Sequence, residues 1–99
     1  MITLARSAHI AANKNQEATE FAVSICKYLN DKYGLNVAAH TPVAGDMTRI
    51  LWTSSYPSLA ALETTRGKMM ADPHYLELLA KAGEFFVAGS PHDELWRSL

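Results

Sequence analysis

Residues 36–58 read NVAAHTPVAGDMTRILWTSSYPS, and the way this stretch divides decides the fold. Asn36 to Val43 is predicted as a strand, Ala44-Gly45-Asp46 as a turn, and Thr48 to Ser55 as a second strand centred on Ile50, Leu51 and Trp52. The two form a hairpin. Pro57 then interrupts any further strand pairing, because proline has no N–H to give to a ladder, and Ser58 is a candidate N-cap for a helix.

On the N-terminal side of the hairpin, Ile2, Leu4, Ala8 and Ile10 alternate with Thr3, Ser7 and His9, a period of two that predicts an opening strand. Asn13 and Asn15 are candidate caps, with Gln16 at capping-box spacing from Asn13. Beyond them Ala18, Phe21, Ala22, Ile25, Leu29 and Tyr33 recur at helical steps, while Glu17, Glu20, Ser24, Lys27 and Asp31 take the other side. Gly34 followed by Leu35 suits a left-handed C′ position and closes this helix.

On the C-terminal side, Leu59, Leu62, Arg66 and Met69 or Met70 share one helical face. Asp72-Pro73 is a helix opening in its own right, so the second helical region is predicted to break or kink there before continuing through Leu76, Leu79, Ala80 and Gly83. Phe85 to Ala88 is predicted as a short final strand, and Ser90-Pro91 as the cap of a last turn ending in Leu95, Trp96 and Leu99. The order β-α-β-β-α-β is the split βαβ pattern: an α+β, ferredoxin-like unit with a four-stranded antiparallel sheet covered by helices on one face. Apolar residues at both parities of the first and third strands, such as Ile50 and Trp52 against Leu51, lead to the expectation that a second copy covers the other face as a homodimer.

The 99 residues suit one domain, residues 1–99, since a chain of this size holds a single core. Hydrophobic residues make up 48% and charged residues 19%, a low charge content that again suits a buried interface. Nine Lys and Arg against ten Asp and Glu give a net charge of −1 with no basic stripe, so nucleic acid is not an expected partner. No apolar run has the length of a membrane span or of a signal peptide's core, so no membrane partner is expected and the cytoplasm is the expected location. Cys26 is the sole cysteine and lies beside the apolar stripe of the first helix, where an inert buried thiol is expected.

Arg49-Ile50-Leu51-Trp52 leading to Tyr56, then Ser58-Leu59-Ala60, Arg66 and Ala71-Asp72-Pro73-His74-Tyr75, resemble the second half of NIPSNAP-like proteins. Arg6 matches the arginine of that family's opening strand. The segment Pro73-His74-Tyr75 is also similar to the proline-histidine-aromatic segment of antibiotic-biosynthesis-type monooxygenases, a sister family. The resemblance implies membership of the dimeric α+β barrel superfamily, and a fold more than an activity. No bound cofactor is expected.

Among chemical candidates, His9, His40, His74 and His92 have no ligand spacing on a helix and no completing carboxylate, so no metal site is expected. Asp93 and Glu94 are read as acidic residues favoured at a helix N-terminus. Arg6 and Arg49 are charges in otherwise apolar strands, and each either snorkels to water, pairs with a carboxylate, or faces a cavity that receives an anionic or carbonyl-bearing ligand. Trp52, Tyr56 and Tyr75 are candidates to contact that ligand. His74, in the first turn of a helix, is the candidate acid or base if the protein is a cofactor-independent oxygenase or cyclase, because imidazole exchanges protons near neutrality. Three function classes stay open at this point: an enzyme of that kind, a binding protein for a small organic molecule, and a non-catalytic structural or interaction homodimer.

Overall fold

The computed structural model describes all 99 residues. In chain order the elements are β1 (Ile2–His9), α1 (Asn15–Tyr33), β2 (Ala38–His40), β3 (Arg49–Tyr56), α2 (Leu59–Met70), α3 (Pro73–Ala82) and β4 (His92–Arg97). The strands form one sheet in the order β2-β3-β1-β4, antiparallel throughout. This is the α+β, ferredoxin-like arrangement predicted from the order of elements. No helix is long and apolar enough to cross a membrane.

The period-two residues of β1 and β3 set which side chains meet the helices. Ile2, Leu4, Arg6 and Ala8 stand opposite Tyr56, Ser54, Trp52 and Ile50, all on the face that α1 and α3 cover. Ile50 is 1% exposed and Ala18 of α1 is fully buried, both in the main core cluster. The other face carries Thr3, Ala5 and Ser7 from β1 and Leu51, Thr53 and Ser55 from β3. It is thus mostly small and polar rather than apolar at both parities. Leu51 and, on β4, Trp96 are its large apolar side chains, and both are exposed.

Helix ends follow local chemistry, with one correction. Gly34 takes the left-handed conformation at φ +63° and donates its N–H to Asn30 O, closing α1 as expected. Ser58 Oγ caps α2 by accepting from Ala61 N, and Asp72 caps α3 by accepting from His74 N. Neither Asn13 nor Asn15 caps α1. The chain turns through Asn13, whose φ of +63° asparagine tolerates, and Lys14 occupies the cap position without a side-chain bond. Gln16 donates forward to Glu20 instead of back to the cap.

The largest departure lies at the C-terminus. Phe85 to Ala88 does not form the fourth strand; Phe86 makes a single bridge with Ile10, and Val87 N donates to His9 O. The chain then bulges away through Gly89 at φ +76° and Pro91, which has no N–H for a ladder. Within the bulge Ser90 Oγ donates to Val87 O and accepts from His9 N. The chain returns to β1 at Ser7↔His92, so the segment expected to be a helical turn is strand β4. Asp93 and Glu94 accordingly lie in an edge strand, not at a helix N-terminus.

Candidate functional site

Between the sheet and the helices lies a cavity of about 480 Å³, with 16 hydrophobic residues among the 22 that line it. Small-molecule sites are typically concave, mostly apolar and of roughly 300–1,000 Å³, with a few fixed polar groups. Leu4 and Ala8 of β1, Phe21, Ile25 and Leu29 of α1, and Leu79 and Ala82 of α3 supply apolar walls. An aromatic group closes one side. The Phe86 ring stands edge-on to Trp52 at 5.5 Å and to Phe21 at 6.1 Å, with Phe85 tilted against Phe21 at 5.7 Å.

The polar residues converge from several elements. Arg6 lines the cavity and donates through Nε to Asp93 Oδ1 at 2.7 Å and through Nη2 to Asp93 Oδ2 at 2.8 Å. This is a parallel, two-bond pairing of guanidinium and carboxylate. It holds the Arg6 proton more tightly than usual and lowers the Asp93 carboxyl below its ordinary range; the Tyr75 phenol adds to the effect on Arg6. Trp52 is Arg6's partner across the β1–β3 ladder, and its buried indole N–H meets no acceptor in the chain. Ser54 Oγ donates to Tyr56 Oη at 3.3 Å, and both residues are buried.

Of the residues singled out in the sequence, Arg6, Trp52, Tyr56 and Tyr75 therefore line one cavity. Arg49 does not. It projects from the outer sheet face into a polar groove of about 380 Å³ with His40, His92 and Glu94. His74 also lies away from the cavity lining: its side chain is 57% exposed, 3.9 Å from Glu77, and its ring stands edge-on to Tyr28 at 4.6 Å. Asp93 is the site residue that sequence reasoning missed. The available signal was Arg6 itself, since an arginine in an apolar strand calls for a carboxylate, but nothing local identifies a partner 87 positions away.

A second polar cluster surrounds Asp72, which is 5% exposed. Its Oδ2 accepts from Tyr28 Oη at 2.5 Å, Tyr33 Oη at 2.7 Å and Lys32 Nζ at 2.9 Å, while Oδ1 caps α3. The donors, Tyr28 first, hold the Asp72 carboxyl far below the ordinary carboxylate range. Burial pushes the Tyr33 phenol up, with the Asp72 hydrogen bond adding to it, so Tyr33 stays a neutral donor. The cluster ties the last two turns of α1 to the elbow between α2 and α3. Cys26 is 8% exposed, and burial pushes its thiol up, away from the reactive thiolate.

Neither a family model nor a curated protein matches the sequence. Solved structures do match. An uncharacterised NIPSNAP domain protein from Burkholderia xenovorans superposes with a TM-score of 0.84 at 14% identity, over 100% of this chain and 95% of its own. A NIPSNAP family protein from Agrobacterium tumefaciens gives 0.78 at 17% identity, covering 99% of this chain and 85% of its own. A putative antibiotic biosynthesis monooxygenase from Deinococcus radiodurans gives 0.76 at 12% identity, with 100% and 93% covered. These identities speak to architecture alone. The chain has a NIPSNAP-like fold, the ferredoxin-like α+β architecture that these structures share.

Proposed function

We propose that the protein binds a small, largely apolar organic molecule in the cavity between its sheet and helices. The observation that carries this reading is the cavity itself: about 480 Å³, walled mostly by hydrophobic residues, with Arg6, Trp52, Tyr56 and Tyr75 drawn from three elements. A domain kept only for structural contacts gains nothing from such a space, since interiors otherwise pack to near crystal density. A cofactor-independent oxygenase or cyclase would use the same cavity, and the Deinococcus radiodurans neighbour is a putative monooxygenase. The placement of His74 outside the lining gives acid–base catalysis by that ring no support.

A thermal-shift screen with neutral, flat aromatic compounds tests the reading, because a ligand that binds only the folded state raises its unfolding temperature. Compounds that bind are expected to lose their shift in Leu79→Trp, which fills the cavity from α3, and to keep it in His74→Ala. Shifts that survive Leu79→Trp would place binding elsewhere.

We also propose that two copies pair through the outer sheet face. Support comes from Leu51 and Trp96, 36% and 60% exposed on that face. Light scattering at micromolar concentration is expected to give twice the protomer mass. Leu51→Glu should halve it, and a monomeric wild type would defeat the proposal.

A further inference from the structure

Arg6 is the one cation on the cavity lining, and Asp93 already neutralises it through both of its carboxylate oxygens. What remains at this corner is a set of donors. Arg6 Nη1 is not used by Asp93, and the Tyr75 hydroxyl belongs to a residue that is 4% exposed and lines the cavity. A donor-rich corner without net charge discriminates among oxygen-bearing ligands. A neutral carbonyl gains hydrogen bonds there and leaves the Arg6–Asp93 pair intact. A carboxylate placed beside Arg6 meets the Asp93 carboxylate as well, and like charges a few ångströms apart in a partly buried site repel.

We infer that the ligand presents a neutral carbonyl or equivalent uncharged acceptor to Arg6, and that Asp93 is the residue that sets this preference by excluding carboxylates. The inference rests on the proposed cavity binding and names the ligand's chemical class. Asp93 also aims the guanidinium, since its two parallel bonds fix the plane of the fork and hence the direction of the remaining N–H groups.

Three naphthalenes substituted at the same ring carbon separate the alternatives: the acetyl compound, the isopropenyl hydrocarbon of the same shape, and the carboxylate. Titration calorimetry on the full chain at neutral pH is expected to rank acetyl above both others by roughly tenfold or more. In Asp93→Asn the fork keeps an oxygen acceptor but loses the opposing charge. The ratio of carboxylate to acetyl affinity should then rise roughly tenfold over that of wild type, whatever loss of aim both compounds share. Carboxylate binding to wild type as tight as acetyl binding would overturn the inference, as would equal affinity for the hydrocarbon, although either result leaves the cavity reading standing. If none of the three binds, the cavity reading fails and the inference with it. The wild-type ranking needs no mutant, so poor folding of Asp93→Asn cannot shield the idea.

Discussion

Asp72→Ala is expected to lower the midpoint of thermal unfolding by roughly 10 °C or more, judged from the several hydrogen bonds removed at once and the ~4–8 °C per kcal/mol typical of a domain this size. One substitution removes the cap of α3 and the common acceptor of Tyr28, Tyr33 and Lys32. The two phenols then lose a charged acceptor in a half-buried setting, and Lys32 loses its ion pair. Scanning calorimetry of the variant against wild type checks the size. A change no larger than that of a surface cap such as Ser58→Ala would show that the convergence of donors adds little beyond capping.

The same cluster predicts an acid limb. Because the Asp72 carboxyl is depressed in the folded protein, its contribution is fully present above the unfolded-state value of about 3.9 and is lost as pH falls below it toward the folded value. Wild type and Asp72→Asn should therefore converge in stability as pH drops from about 5 to below 3. Lys32, raised by its bond to Asp72, acts with the opposite sign: its share holds below the unfolded lysine value of about 10.4 and fades only as pH rises beyond it. Parallel pH curves for the two proteins across the acid range would locate the acid sensitivity elsewhere.

The elements legible in the sequence are those whose burial is periodic. The helical steps from Ala18 to Leu29 and the alternation of β1 reflect one-sided burial, and Asp72-Pro73 marks the break between α2 and α3 by local chemistry alone. β4 is different. Its six residues are all exposed at the sheet edge, so His92 to Arg97 shows no apolar alternation, and it becomes a strand through its ladder to β1 and the Arg6–Asp93 pair. The same holds for the candidate site. The need for a partner at Arg6 was readable, but its identity depends on a register between the two ends of the chain. The Asp72 cap was likewise readable, whereas the three donors from α1 reach it only after the helices dock.

Phe86 is where the misplaced strand and the cavity meet, and Phe86→Ala is expected to destabilise the fold by ~3–5 kcal/mol in urea unfolding. Phe85 to Ala88 looks like a strand because it is apolar and aromatic, yet it forms only one bridge, from Phe86 to Ile10, before the bulge. Its stabilising role must then come from the Phe86 side chain, 7% exposed and set against Trp52 and Phe21, more than from a ladder. Truncation removes that wall and enlarges the adjoining cavity, so the lost contacts cannot be recovered by collapse of an already open space. Val87, 48% exposed in the same segment, is the internal comparison, and Val87→Ala should cost within about 0.5 kcal/mol. A conventional strand with one face against the core and full pairing would make both substitutions costly. If the Phe86→Ala loss falls below about 1 kcal/mol, or Val87→Ala matches it, the aromatic wall is not what anchors this end of the chain.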